Sequence, residues 1–135
     1  MPGEFLDSNV LIYAFTTDPR AGKAEALLAG DAVTSVQGLN EFANVARRKL
    51  GMTWHELKDA LAALRTLLRA IHPIDLATHD RAIALAERHG FSVFDALIIA
   101  SALEAGCSIL HTEDMQHGMS IEGRLRISNP FAATP

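Results

Sequence analysis

Four acidic residues of this 135-residue chain are placed where they could act together on a metal ion. Asp7 follows a short apolar segment, and Asp114 follows the strand-like segment 108–111. Glu41 and Asp95 lie near the starts of two predicted helices. Carboxylates that share one site repel one another unless a cation offsets their charge, and hard oxygen ligands suit Mg²⁺ or Mn²⁺. The chemistry that this combination indicates is metal-dependent hydrolysis of a phosphodiester.

Each acid also has an ordinary structural explanation. Asp7 precedes Ser8 in a sequence typical of turns and helix caps. Asp95 lies three residues after Ser92, which is the spacing of a capping box. The other acids, taken singly, are typical solvated surface or loop residues: Glu41, Glu113 and Asp114. The metal-site hypothesis therefore depends on whether the fold brings these acids together.

Short apolar segments alternate with helical patterns along the whole chain. The predicted strands are 4–6, 32–35, 71–74, 108–111 and 125–128, and the predicted helices are 10–15, 18–30, 36–50, 53–70, 78–90 and 95–105. This alternation predicts one α/β domain over residues 1–135, with a short parallel central sheet and helices on both faces. Ligand sites of such sheets lie beyond the carboxyl ends of the strands, where Asp7 and Asp114 are expected.

Capping residues define several of these boundaries. Asp18 before Pro19 predicts a helix start, and Thr53 with Glu56 forms the pattern of a capping box. Thr78 is predicted to begin the next helix. Pro73 would confine strand 71–74 to an edge of the sheet.

Polar residues accompany Glu41 along the predicted helix 36–50. The buried face of this helix is predicted to hold five apolar residues: Leu39, Phe42, Ala43, Ala46 and Leu50. The remaining surface carries Asn44, Arg47 and Arg48, which could receive a nucleic-acid backbone beside the metal. An ordinary solvated face is the alternative explanation, and the sequence leaves both open.

Composition limits the class of protein. Hydrophobic residues make up 49% of the chain and the net charge is −4, which is typical of a globular protein without a broad basic surface. No apolar segment is long enough to span a bilayer, and the N-terminal segment lacks the pattern of a signal peptide. We therefore expect a cytoplasmic protein without membrane association. The single cysteine, Cys107, is expected to be a buried thiol, and His111 and His117 lack the spacing of a zinc site.

Four motifs resemble those of PIN-domain ribonucleases, in particular the VapC-type toxins of bacterial toxin–antitoxin pairs. They are FLDSNVLIY at 5–13, LNEF at 39–42, FDALIIA at 94–100 and LHTEDM at 110–115. The motifs occur in the family's order and span nearly the whole chain. The fourth is a variant form because two acids, Glu113 and Asp114, are adjacent.

The resemblance implies a role for each motif residue. Asp7 and Asp95 would bind Mg²⁺ (or Mn²⁺), and Glu41 and Asp114 would complete a catalytic acidic site directly or through water. Thr112 would orient a ligand water or a carboxylate, and we expect three neighbours to support the acids in the same way: Ser8, Asn9 and Glu113. The resemblance also implies RNA hydrolysis by metal-activated water, a VapB-type antitoxin partner and a homodimer.

Three other functions were weighed against this hypothesis. A phospho-signalling receiver domain also places acids at strand ends, but it requires a lysine after a late strand, and the lysines here are confined to residues 23, 49 and 58. A housekeeping nuclease without an antitoxin stays open. A catalytically inactive binding protein with the same fold also stays open, although all four acidic positions are occupied.

Overall fold

The computed structural model describes residues 3–132. Its helices are α1 (Ser8–Tyr13), α2 (Ala21–Leu28), α3 (Val36–Arg48), α4 (Trp54–Leu67), α5 (Leu76–His89) and α6 (Val93–Glu104). Its strands are β1 (Glu4–Leu6), β2 (Ala32–Ser35), β3 (Ala70–His72), β4 (Ile109–His111), β5 (Ser120–Ile121) and β6 (Leu125–Ser128). No helix in this range has the length and apolar character needed to cross a membrane.

All six strands form one sheet in the order β3-β2-β1-β4-β6-β5. Five of them run parallel, and β5 pairs with β6 in the antiparallel direction. The predicted α/β class with a parallel central sheet is therefore confirmed, and β3 occupies the edge position that Pro73 predicted. The short strand β5 was not predicted. Because β1 lies between β2 and β4, the carboxyl ends of these three strands meet at the middle of one edge.

Successive residues of each strand point to opposite faces of the sheet, so both faces are apolar, and helices cover both of them. Phe5 and Leu110 point toward a core that includes the apolar residues of α5 and α6. Leu6 points to the opposite side, into a core with α1, α2, α3 and α4. Phe5, Leu6 and Leu110 are all fully buried. The central strands are thus fixed from both sides, and the residues that follow them are held in a defined position.

Two predicted helix starts are wrong. Helix α2 begins at Ala21, because the Asp18 carboxylate accepts a hydrogen bond from the Arg20 amide (2.8 Å) and forms a local turn instead of a cap. Helix α5 begins two residues before the predicted Thr78, because Asp75 is the N-cap and accepts a hydrogen bond from the Thr78 amide (2.9 Å). In each case the local bond of an aspartate decides the boundary.

Other boundaries also differ by a few residues. Helix α1 begins at Ser8, directly after its cap Asp7. Helix α4 ends at Leu67, and β3 begins earlier than predicted, at Ala70. The capping box of Thr53 and Glu56 is confirmed. Leu50 lies beyond the end of α3 and is 36% exposed, so its predicted place in the buried face of that helix is wrong.

Cys107 is buried, as predicted. Burial raises the pKa of its thiol to about 11. Since the thiolate is the reactive form, this cysteine is chemically inert at neutral pH.

Helix α3 approaches β2 closely at Gly38. A Cβ atom added at Gly38 would lie 2.4 Å from Oγ1 of Thr34, whose hydroxyl is buried and donates to the Leu6 carbonyl (2.9 Å). We expect Gly38→Ala to lower the free energy of unfolding by about 1–3 kcal/mol through overpacking, which urea denaturation would measure. Gly22→Ala in α2 is the matched control, because nothing lies within 4 Å of its added Cβ. Equal stability of the two variants would contradict this explanation.

Candidate active site

The acidic residues follow the adjacent strands β1 and β4 at their carboxyl ends. Asp7 comes directly after β1, and its amide donates to the carbonyl of His111, the last residue of β4 (3.0 Å). Asp114 lies three residues beyond β4, and Glu41 lies on α3, which begins directly after β2. The chain thus places these three acids along one edge, as the sequence predicted.

Asp7 is nearly inaccessible, with 4% of its surface exposed. One carboxylate oxygen accepts from the Ser8 amide (2.7 Å) and caps α1, and the other accepts from the Thr112 hydroxyl (2.8 Å). Burial raises the pKa of Asp7 to about 6; these two hydrogen bonds oppose the rise, and the charges of Glu41 and Asp114 add to it. Asp7 is therefore a helix cap and also a member of the acidic cluster.

Asp95 occupies the third position of α6, and its amide donates to the hydroxyl of the N-cap Ser92 (3.1 Å). Partial burial raises the pKa of its carboxyl, the side-chain hydrogen bond with Ser92 lowers it, and the charge of Asp114 raises it. Asp95 and Asp114 are therefore electrostatically coupled. The charge of Asp114 acts on Asp7 as well, and so does that of Glu41, so the predicted acids lie near enough to influence one another.

Glu41 and Asp114 accept hydrogen bonds from neighbouring side chains. Ser8 donates to one oxygen of Glu41 (3.2 Å). Asn9 donates to Asp114 (3.0 Å) and to the hydroxyl of Thr112 (3.3 Å). Since Thr112 also binds Asp7, a continuous hydrogen-bond network connects α1 with the segment after β4. Ser8, Asn9 and Thr112 thus orient the carboxylates, in the positions that the sequence predicted for supporting residues.

Glu113 points away from the acidic cluster. Its carboxylate accepts from the Tyr13 hydroxyl (2.6 Å) and forms an ion pair with Arg20 (3.1 Å). Arg20 also contacts the Tyr13 hydroxyl and lies over its ring. Of the two adjacent acids, Asp114 is therefore the one that joins the site, and Glu113 anchors the segment that carries it.

This difference between neighbouring acids leads to a prediction. Asp114→Asn removes a charge that acts on both Asp7 and Asp95. If the chain performs the metal-dependent hydrolysis that the sequence predicts, its rate should fall by about 10²-fold, a loss typical of electrostatic groups in active sites. Glu113→Gln keeps the size of a side chain that faces Tyr13 and Arg20, so we expect cleavage within a few fold of the unsubstituted protein. Initial rates measured on the two purified variants would check this, and the reverse order would contradict it.

The donor set suits a magnesium ion that keeps part of its hydration shell. Within residues 3–132, no three His, Cys, Asp or Glu side chains form a ready chelating group. Mg²⁺ binds through one or two carboxylates plus waters and does not require such a group. The buried Asp7 beside further carboxylates offers hard oxygens and an unbalanced negative charge, which a divalent cation would offset. The residues present therefore fit Mg²⁺ or Mn²⁺.

The histidines near this edge make other contacts. His111 lies 3.0 Å from the Glu4 carboxylate, and His117 accepts from the Asn129 amide (2.8 Å). Neither bond belongs to a ligand set for zinc among the described residues.

The predicted RNA-binding residues lie at the solvent side of α3. Asn44 and Arg48 are exposed and follow Glu41 at three and seven residues, on the same face of the helix. Arg47 lies over the Trp54 ring, 4.1 Å from its centroid, and donates to the carbonyl of Met52 (2.7 Å). Arg47 is therefore tied to the start of α4, whereas Asn44 and Arg48 stay on the face of the acidic site.

Three residues of the site were not predicted from the sequence. Gln37 donates to Glu41 (3.3 Å) from one helical turn earlier, and the spacing of four residues was a usable signal. Tyr13 lies one turn after Asn9 on α1, so its position was also readable from the sequence. Arg20 is in an irregular segment between helices, and no sequence pattern connects it with Glu113.

Comparison with models of protein families assigns the chain to one family. The model of the PIN domain matches residues 5–117, and the chain therefore belongs to the PIN-domain family. Among curated protein sequences, none matches significantly.

Solved structures with this fold include toxins of bacterial toxin–antitoxin systems. VapC20 of Mycobacterium tuberculosis, described as a toxin that cleaves the sarcin–ricin loop, is 23% identical with a TM-score of 0.69, and the match covers 83% of this chain and 90% of that one. A toxin–antitoxin complex from Klebsiella pneumoniae is 21% identical with a TM-score of 0.75, and the match covers 97% of this chain and 100% of that one. VapBC2 of Rickettsia felis, bound to promoter DNA, is 20% identical with a TM-score of 0.66, and the match covers 93% of this chain and 97% of that one. At these identities the likeness establishes the fold.

Proposed function

We propose that this protein is a metal-dependent endoribonuclease that acts as the toxin of a toxin–antitoxin pair. The observation that carries the proposal is the buried Asp7, which is coupled through its charge to Glu41 and Asp114 at the carboxyl edge of the sheet. Asp95 joins the group through Asp114. Three carboxylates at the ligand edge of a parallel sheet, with Asp95 near enough for its charge to act on one of them, are suited to a divalent cation and a phosphate substrate.

Each acid has a distinct task in the proposed reaction. Asp7 and Asp95 hold the cation, and Glu41 and Asp114 complete the site directly or through water. The cation, when bound, lowers the pKa of a water and offsets charge on the phosphate and the leaving oxygen. Thr112 fixes the Asp7 carboxylate and Asn9 fixes that of Asp114, so little reorganisation is needed when substrate binds.

The family and the neighbouring structures support the biological role. Membership of the PIN-domain family supports a nuclease, and the fold is shared with toxins that cut RNA or that were solved with their antitoxins. We therefore propose RNA as the substrate and a VapB-type antitoxin as the partner. Exposed apolar side chains such as Phe94 (64%) and Leu76 (74%) are consistent with a protein interface, and we propose a homodimer.

A cleavage assay on purified protein tests the activity. We expect single-stranded or structured RNA to be cut in the presence of Mg²⁺ or Mn²⁺ and to stay intact in EDTA. Attack by water leaves a free 3′-hydroxyl and a 5′-phosphate, whereas attack by the RNA 2′-hydroxyl leaves a cyclic phosphate, so end analysis separates the two mechanisms. Cyclic phosphate products, or cleavage that persists in EDTA, would contradict the proposal.

The toxin role needs a separate experiment. Expression of the protein alone should arrest bacterial growth, and co-expression of a small protein from the adjacent gene should restore it. Cleavage without growth arrest would favour the housekeeping nuclease instead.

A further inference from the structure

The chain concentrates positive charge at the carboxyl end of α3. Its net charge is −4, yet Arg47, Arg48 and Lys49 form the one run of three consecutive basic residues in the sequence. Within residues 3–132 none of the three is paired with a carboxylate, whereas Arg20 and Arg81 are in ion pairs. Cations stabilise the carboxyl end of a helix, so helix stability alone explains part of this cluster.

Helix stability does not explain the aromatic residue beside the cluster. Trp54, the only tryptophan of the chain, is 62% exposed at the start of α4. The Arg47 guanidinium covers one face of its ring, at 4.1 Å from the centroid, so the exposed area belongs to the other face and the ring edge. The ring therefore has both the flat apolar surface and the exposure that stacking with a ligand requires.

The backbone that carries the ring and the guanidinium beside it are both anchored. Trp54 directly follows Thr53, whose capping box with Glu56 fixes the first turn of α4 (3.0 and 2.8 Å). Arg47 is anchored in turn by its bond to the Met52 carbonyl (2.7 Å). A preorganised ring loses little entropy when a flat group stacks on it.

Exposed side chains extend along α3 from the acidic site to the end of the helix, where Arg47 contacts this ring. Asn44 and Arg48 follow Glu41 on one face of α3, and Arg48 lies on the order of 10 Å from Glu41 along the helix axis. Both side chains are exposed. This distance corresponds to a few nucleotides of an extended single strand, with phosphates facing Arg48.

We propose that Arg47, Arg48 and Trp54 form a substrate subsite in which an unpaired RNA base stacks on Trp54 while Arg48 contacts the backbone. The proposal rests on the nuclease function above and adds the substrate class that this surface selects. Bases of single-stranded RNA stack on aromatic and guanidinium planes, and backbone contacts to basic residues accompany this stacking. A base-paired duplex offers no free base face, so the subsite favours single-stranded regions and loops.

The single tryptophan makes the proposal directly measurable. Titration of a short oligoadenylate into the protein in EDTA, where cleavage stops, should quench Trp54 fluorescence. Inorganic polyphosphate supplies the charge without bases and should leave the fluorescence nearly unchanged. Trp54→Ala should weaken oligoadenylate binding by roughly 5- to 100-fold, measured by anisotropy of a labelled RNA. The same variant should raise KM for single-stranded RNA with little change in kcat.

Matched variants separate the subsite from general surface effects. Ile83→Ala removes an exposed apolar side chain (44%) from α5, outside the site and the proposed interface residues, and should bind RNA as the unsubstituted protein does. Arg48→Ala should reduce the slope of log affinity against log salt by about 0.7, the value for one phosphate contact of a single strand. Arg88→Ala, at the last turn of α5, is its control and should leave the slope unchanged.

The outcomes distinguish this inference from the proposed function. Cleavage of RNA with no change in Trp54 fluorescence and wild-type affinity in Trp54→Ala would overturn the subsite alone. Equal quenching by polyphosphate would also overturn it, because the signal would then report charge and not stacking. Quenching by oligoadenylate without any cleavage would support the subsite and count against the nuclease function alone.

Discussion

Replacing Asp7 by asparagine is expected to abolish RNA cleavage and, at the same time, to make the metal-free protein more stable. The amide can still cap α1 but cannot supply the charge that holds the cation, so we expect cleavage to fall on the order of 10³-fold or more. Burial raises the pKa of Asp7 from 3.8 to about 6. Holding this carboxylate ionised at pH 8 therefore costs the folded state about 3 kcal/mol, which the substitution removes. Initial cleavage rates and urea unfolding in EDTA would measure the two effects.

The control for this variant is Asp59→Asn. Asp59 lies on α4 with a side chain that is 74% exposed, so the same chemical change should leave both activity and stability within a small margin of wild type. A loss of activity in Asp7→Asn that comes with a lower free energy of unfolding would mean that the variant is inactive because it is damaged. That outcome would contradict the assignment of Asp7 as a strained, charge-bearing ligand.

The stability of the metal-free protein should fall as the pH rises from about 4 to about 7. The folded-state pKa of Asp7 is about 6, above the ordinary aspartate value of 3.8. The folded state therefore binds the proton more tightly than the unfolded state. The resulting contribution is complete below pH 4 and disappears as the pH passes 6, and it amounts to about 3 kcal/mol. Burial also raises the pKa of Asp95, which acts in the same direction.

The difference between wild type and Asp7→Asn isolates this effect. Asp75 and Glu56 have lowered pKa values because they accept hydrogen bonds at helix caps, so their stabilising contributions have the opposite pH dependence and are lost as the pH falls. Their contributions are the same in both proteins and cancel in the difference. Urea denaturation from pH 4 to pH 8 in EDTA should give curves that diverge as Asp7 ionises. Parallel curves would show that Asp7 is not a perturbed carboxylate. Mg²⁺ should restore stability to the wild type above pH 6, because the ion favours the charged carboxylates.

The fold was predictable from the sequence to the level of its sheet. Alternation of short apolar segments with helical patterns was sufficient for the α/β class. Strand β3 lies at the predicted edge of the sheet, although it ends at His72 and does not include Pro73, on which that prediction rested. The starts of α2 and α5 were not predictable with the same rules. Asp18 and Asp75 are both acids that precede a helical pattern, but one forms a local turn and the other a cap.

The acidic site was predictable to the level of which residues approach, since strand order determines which carboxyl ends meet. The directions of neighbouring side chains were not predictable. Glu113 and Asp114 are adjacent acids, and their separation into an anchor and a site member depends on Tyr13 and Arg20. Arg20 lies outside any periodic pattern, so its contact with Glu113 is a property of the folded chain. The exposure of Trp54 also follows from packing, because the sequence alone is equally compatible with a buried ring.

Binding of Mn²⁺, followed by electron paramagnetic resonance in wild type, Asp7→Asn and Asp95→Asn, tests the central claim most directly. Mn²⁺ takes the same oxygen ligands as Mg²⁺, and the spectrum of the free ion reports binding without any substrate. We expect the wild type to bind the ion and each variant to bind it at least about 10-fold more weakly, since each loses a charged oxygen ligand. Unchanged Mn²⁺ affinity in both variants would contradict the assignment of these carboxylates as the metal site.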